Sequence, residues 1–224
     1  MKQMHQITEK LSRIEGILFD LDNTLYPSRK GVFDLVSERI DQYVILETGV
    51  DSGSVRDIRR DFIAAYGTTL GGLIKHYSTS PEHYLDFVHD IPVESMLEAD
   101  TGLGAFLARI RLPKVIFTNA SASHACRVLA ALGVGEHFRE ICDLAATGYL
   151  GKPHSEAFSC AVNTIGLPGG RTLFVDDMPA NANAAADMGI MPVLVDIDSD
   201  GTGHLTVSEV TDLAGYFEGM PWFD

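Results

Sequence analysis

The chain has 224 residues, 46% of them apolar and 21% charged, with a formal net charge of -14. That length suits one domain or one domain carrying an insertion, and so large an apolar share excludes general disorder. An acidic field repels polyanions, so no nucleic acid polymer is expected as a partner; a small phosphorylated metabolite is acceptable where a metal neutralises it locally.

Cys126, Cys142 and Cys160 form no close pair in the sequence and lack zinc-like spacing, which suits apolar core residues in a reducing, cytoplasmic compartment. The N-terminal run Met1-Lys2-Gln3-Met4-His5-Gln6 is too polar for a secretory signal. No apolar run approaches the roughly 18 residues that would span a bilayer, so no membrane partner is expected.

Met4, Ile7, Leu11 and Ile14 recur at helical spacing and predict a short amphipathic helix over the first 14 residues. It would pack on its own domain or, on a sharper reading, against a second copy; monomer and homodimer both stay open. Ile17 to Asp20 predicts a fully buried strand. Residues 27 to 95 then change character. Phe33, Val36, Ile40, Val44, Val55, Ile58 and Phe62 keep helical spacing, Gly49 and Gly53 interrupt it, and Ser80-Pro81 opens another helix through Tyr84, Phe87 and Val88. This stretch predicts an all-helical insertion of about four helices.

From about Ala99 helices and strands alternate. Helices are predicted over 103–110, 123–132, 154–165 and 181–188, with Gly133, Gly166 and Gly189 as left-handed stops after the last three. Strands are predicted over 115–118, 141–144, 173–176 and 192–195, and a closing helix over 207–217, with Trp222 and Phe223 anchoring the tail. Such alternation implies an α/β fold, a Rossmann-like parallel sheet flanked by helices, with an all-helical insertion after the first strand. The core comprises 1–26 and 96–224, the insertion 27–95.

Ligands of such sheets sit beyond the carboxyl ends of the strands. Asp20, Thr118 and Asp176 each close a predicted strand there, and Lys152 stands before Pro153. Asp-x-Asp alone is an ordinary turn, Thr118-Asn119 a strand end, Asp176-Asp177 a capping pair. Together, at successive strand ends, they point to a phosphate and a divalent metal. An ionised Asp20 can attack phosphorus if positive charge offsets its repulsion from the phosphate. Mg²⁺ held by Asp20, the Asp22 main-chain carbonyl and the Asp176-Asp177 pair can do that, with Lys152 adding a fixed charge. Thr118 and the main-chain N–H groups around Asn119 can bind phosphate oxygens. Asp22 can protonate the leaving alcohol and then deprotonate water. Asn23 and Thr24 would hold the turn through main-chain bonds, and Asn181 and Asn183 would orient metal-bound water.

These four elements resemble the four motifs of the haloacid dehalogenase superfamily of phosphohydrolases, over about 16–26 and 96–196. The resemblance makes Asp20 the nucleophile, Asp22 the acid/base, Thr118 and Lys152 the phosphate-binding pair, Asp177 a direct metal ligand and Asp176 its neighbour as ligand or support. It makes 27–95 a helical cap that covers the site during turnover. Asp22-Asn23-Thr24-Leu25-Tyr26, Tyr66-Gly67-Thr68-Thr69-Leu70 with Gly72-Leu73, and His83-Tyr84 before Val88-His89-Asp90 look like the pyrimidine 5'-nucleotidase branch, with Gly71 where that branch commonly carries arginine. The branch implies a Mg²⁺-dependent phosphatase of nucleoside 5'-monophosphates, with Tyr26, Tyr66, His76 and His83 as candidates to meet the base. A sugar phosphatase or a phosphomutase would share this core. A dehalogenase is disfavoured, since halide departure needs no proton donor such as Asp22. A catalytically silent phosphate-ligand binding protein is the alternative of another class.

Overall fold

The computed structural model describes residues 2–195 and 203–224. Among these, six strands form one sheet: β1 (Gly16–Phe19), β2 (Lys114–Phe117), β3 (Glu140–Cys142), β4 (Thr172–Asp176), β5 (Met191–Val195) and β6 (Leu205–Val207). Their order is β3-β2-β1-β4-β5-β6, and every neighbouring pair is parallel. All four β1 residues are buried, as expected of a central strand covered on both faces. Its residues alternate between the two faces. Ile17 and Phe19 enter the apolar cluster that also holds Ile116, Leu173, Val175 and Val193, while Leu18 joins Val115, Phe117 and Phe174 on the other face.

Parallel strands need long crossovers, and helices supply those from β1 through β5. The helices are α1 (Lys2–Leu11), α2 (Val32–Thr48), α3 (Val55–Tyr66), α4 (Thr69–Tyr77), α5 (Pro81–Val88), α6 (Val93–Met96), α7 (Thr101–Arg109), α8 (Ala122–Leu132), α9 (Ser155–Ile165), α10 (Pro179–Asp187) and α11 (Ala214–Phe217). On the first face Leu11, Ile14, Leu103, Leu107, Val128 and Leu132 cover the sheet, so the N-terminal helix packs on its own chain; the Met4 side chain lies outside the described part. Phe158 and Ala161 of α9 and Ala185 of α10 cover the second. Trp222 and Phe223 are buried against Phe217, as the tail anchor requires. No helix among the described residues is long and apolar enough to cross a membrane.

Helices α2 to α5 carry an apolar cluster of their own: Tyr43, Val44, Val55, Leu70, Leu73, Tyr84, Leu85 and Val88. Leu144 and the half-buried Tyr149, from the loop after β3, reach into it. Two predicted elements differ. The expected closing helix over 207–217 is instead strand β6, a 3-10 turn over Val210–Leu213 and the short α11. Leu205-Thr206-Val207 finds open edge positions on β5, and that pairing outweighs the weak helical pattern. The expected strand over 141–144 ends at Cys142, because the Asp143 carboxylate turns to accept from the Ala122 and Ala146 N–H groups. The same fold brings the Cys142 and Cys160 sulfurs to 3.7 Å, a proximity invisible in their spacing.

Candidate active site

Because β2, β1 and β4 are adjacent, the residues at their carboxyl ends meet. The Asp20 N–H donates to Val175 O at 2.8 Å, so Asp20 lies beside Asp176. Lys152 Nζ joins all three strand ends, donating to Asp20 Oδ1 at 2.6 Å, Asp176 Oδ2 at 2.7 Å and Phe117 O at 2.9 Å. Its side chain is 2% exposed. Asn119 clasps the lysine's backbone at two points. Its Nδ2 donates to Lys152 O at 3.0 Å, and its Oδ1 accepts from Lys152 N at 2.7 Å. The Asn119 side chain thereby positions Lys152. Thr118 is buried, and its Oγ1 accepts from Ala120 N at 3.0 Å.

The two acids of Asp176-Asp177 part ways. Asp176 is fully buried and its oxygens are taken by Lys152, by Asn181 Nδ2 at 2.9 and 3.1 Å, and by Met178 N at 2.8 Å. It orients the lysine, the supporting one of the two roles the resemblance implies for it. Asn181 Nδ2 is engaged by Asp176, and the Asn183 amide oxygen faces His204 Nε2 at 3.0 Å. Asp177 is half-buried beside Asn23, which takes the left-handed φ of 61° that asparagine tolerates. Thr24 Oγ1 points to Asp20 Oδ2 at 3.4 Å rather than to the main chain.

Two carboxylates therefore share one ammonium, and a third, Asp177, lies close by. Burial raises the Asp20 carboxyl well above its ordinary value; Lys152 opposes this, and the charges of Asp176 and Asp177 add to it. Burial and then Asp176 push Asp177 up to about 6. Burial alone would lower Lys152, but the charges of Asp176 and Asp20 outweigh it and raise the lysine. The ammonium is thus firmly charged and still does not neutralise its surroundings. The site carries surplus negative charge on oxygen donors.

Asp22 lies apart from this trio. Its Oδ1 accepts from the Tyr26 hydroxyl and from His124 Nε2, the latter at 2.9 Å. Burial would raise its carboxyl, but the hydrogen bond and charge of His124 and the bond from Tyr26 lower it. The His124 ring stacks on His89, with centroids 4.4 Å apart. Burial, and then His124 beside it, bring His89 down to about 3. Ser121 Oγ lies 3.1 Å from His89 Nδ1, and Arg127 donates to the carbonyls of His89 and Ile91 and to both Glu94 oxygens. Ser121, His124 and Arg127 were not singled out in the sequence. Their spacing of three along one helix face, directly after Thr118-Asn119, was the available signal.

Tyr26 is buried on Asp22, not turned to a ligand pocket. Tyr66 and His76 bond to each other at 2.8 Å beside Phe62, and His83 Nδ1 lies 3.0 Å from Tyr43 OH. The part of the α3–α4 motif that does approach the strand-end loops is its backbone. Gly67, at φ 76°, packs on His154, where a Cβ would come within 2.5 Å of the ring. A Cβ on Gly151 would lie 2.6 Å from Asn119 Oδ1 and 2.8 Å from the Thr68 methyl.

The family model of the haloacid dehalogenase-like hydrolases matches residues 14–189. The chain belongs to the haloacid dehalogenase-like hydrolases. Among curated proteins it is 27% identical over 191 residues to phosphate metabolism protein 8 of Saccharomyces cerevisiae, covering 79% of this chain and 60% of that relative. The chain thus spans three fifths of that protein's length. It is 23% identical over 235 aligned positions to glyceraldehyde 3-phosphate phosphatase of Methanocaldococcus jannaschii, covering 92% of this chain and 98% of the relative. Among solved structures, the HAD-hydrolase YfnB of Bacillus subtilis bound to magnesium superposes with a TM-score of 0.61 at 16% identity, covering 92% of this chain and 99% of that one. At that identity the likeness speaks to the fold of this haloacid dehalogenase-like hydrolase.

Proposed function

We propose that this chain is a Mg²⁺-dependent phosphomonoesterase that works through an aspartyl-phosphate on Asp20, with a nucleoside 5'-monophosphate, pyrimidine by preference, as substrate class. The observation that carries the reading is the Lys152 ammonium, buried and shared between Asp20 and Asp176 at the ends of two central strands. A carboxylate so placed is a fixed nucleophile, and the lysine beside it can accompany a phosphate oxygen.

The donor set suits a hard divalent cation. Among the described residues no three His, Cys, Asp or Glu side chains form a closed metal cage. What the chain offers is the Asp20 and Asp177 carboxylates with the Asp22 main-chain carbonyl, all oxygen, beside a surplus of negative charge. Mg²⁺ prefers such sites and keeps several waters. When bound, it would neutralise the nucleophile and the phosphate together.

Asp20 attacks phosphorus while the N–H groups after Thr118 hold the phosphate oxygens and the Lys152 ammonium, its three hydrogens given to Asp20, Asp176 and Phe117, supplies fixed positive charge beside them. Asp22 gives its proton to the departing alcohol and then takes one from the water that cleaves the aspartyl-phosphate. Residues 27–95 act as a cap over residues 1–26 and 96–224, meeting them through Gly67 on His154 and Thr68 on Gly151. With Tyr66, His76 and His83 engaged among themselves and with Tyr43, the α3–α4 backbone around Gly67–Gly71 is the better candidate for substrate discrimination.

A second reading, a sugar-phosphate phosphatase, draws on the relative named glyceraldehyde 3-phosphate phosphatase, which matches nearly the whole chain. Phosphate release from a panel of nucleoside 5'-monophosphates, triose and hexose phosphates and aryl phosphates, with and without Mg²⁺, decides between them. The nucleotidase reading expects the highest kcat/KM on pyrimidine nucleotides; a preference for triose phosphates replaces it with the second. Isomer formation from a hexose 1-phosphate without free phosphate would sink both in favour of a mutase.

A further inference from the structure

We propose that Tyr26 and His124 form the positioning pair of Asp22, holding one oxygen of its carboxylate so that the other is aimed at the reacting oxygen. The inference rests on the phosphatase reading above. Its geometry is specific. The Tyr26 hydroxyl and His124 Nε2 both donate to the same atom, Oδ1, which can accept them whether Oδ2 is ionised or carries the proton. Oδ2 accepts no hydrogen bond from the described residues. Two donors on one oxygen fix the plane of the carboxylate and leave Oδ2 as the proton-carrying atom.

The pair is itself held. The His124 side chain is fully buried and that of Asp22 is 12% exposed, so bulk water does not compete freely for the bond. His124 Nδ1 has no partner, and a ring with one unpaired nitrogen is set by stacking rather than by a second hydrogen bond. His89 supplies the stacking face, with rings 21° from coplanar. His89 belongs to the segment that returns from α5, and that segment is tied to α8 by Ser121 and Arg127. The return segment thus aims Asp22 through one stacked ring.

In the chemistry this serves, the Asp22 Oδ2–H proton passes to the ester oxygen as its bond to phosphorus breaks and the Asp20 oxygen–phosphorus bond forms. Oδ2 then takes a proton from water as the water oxygen bonds to phosphorus and the Asp20 bond breaks. A nitrophenolate leaving group needs no proton, so p-nitrophenyl phosphate separates the two halves.

The experiment follows nitrophenolate release by stopped flow for wild type, Y26F, H124A, H124Q, D22N and D22N/H124A, in the full chain with Mg²⁺. Y26F and H124A are expected to keep a burst of about one nitrophenolate per site, followed by turnover slowed about 10- to 100-fold with KM little changed. H124Q, whose amide nitrogen can donate where Nε2 does, should recover most of that loss, and H124A should add nothing to D22N. A merely structural role predicts instead that H124A and H124Q fall together, that the burst disappears with turnover, or that the losses add; any of these overturns the proposal, as does unchanged turnover in Y26F and H124A. Thermal melting of each variant identifies a failure to fold, and Y26F, which only removes a hydroxyl, keeps the test alive if H124A unfolds. If D20N retains turnover, the phosphatase reading fails instead.

Discussion

Lys152 Nζ lies 2.6 Å from Asp20 Oδ1, although 132 positions separate the two residues. This one bond ties the loop before α9 to the end of β1, and the same ammonium reaches Asp176 on β4. Carboxylates outnumber the ammonium around it.

Replacing Asp20 with asparagine removes the proposed nucleophile with little change of shape. Phosphate release should fall by at least about 1,000-fold, with the melting temperature unchanged or raised, since a buried carboxylate is relieved. Malachite-green phosphate assays and a melting curve check both halves. Turnover near wild type in this variant would remove the covalent mechanism.

Mg²⁺ binding should appear as thermal stabilisation that saturates with concentration, without any substrate present. Asp177→Asn should abolish most of the shift, because it removes one of the two carboxylates on offer. Asp22→Asn should keep it, because its side chain sits on Tyr26 and His124. Loss of the shift in the Asp22 variant would place that carboxylate on the metal after all.

Lys152→Met leaves two carboxylates without their shared cation in a buried site. Breaking such a pair typically costs about 3–5 kcal/mol. Urea unfolding of wild type and variant at neutral pH should show a loss of that order together with loss of activity. A stability change below about 1 kcal/mol would mean that water or Asp protonation relieves the pair.

His89 makes stability depend on pH. Its folded value of about 3 lies below the ordinary 6.5, so the unfolded chain binds the extra proton between the two. Stability therefore rises with pH across that window; the contribution is complete above about 6.5 and is lost progressively as pH falls. At pH 5 the loss is about 2 kcal/mol relative to neutral pH. His89→Asn, which keeps a polar atom near Ser121, should flatten the slope between pH 7.5 and 5 by that amount. Equal slopes for the two proteins would show that His89 titrates normally.

The strand ends were legible because a short buried run closing on a polar residue is a local signal. Asp20, Thr118 and Asp176 all stand where the parallel-sheet rule put them. The helical segment was legible for the same reason, since apolar spacing near 3.6 survives without knowledge of partners. Leu205–Val207 was not, because a three-residue edge strand exists only once β5 offers an edge.

The sequence by itself determined the layered architecture and the set of charged side chains at its carboxyl edge, since periodicity and strand boundaries are properties of neighbours in the chain. Only the tertiary structure decided how those side chains are spent: Asp176 on Lys152 and Asn181, Asn119 on the lysine backbone, Tyr66 on His76, and Asp22 on a histidine 102 positions away. Hydrogen bonds between distant residues depend on how helices seat on the sheet to within an ångström or so, and no spacing along the chain carries that information.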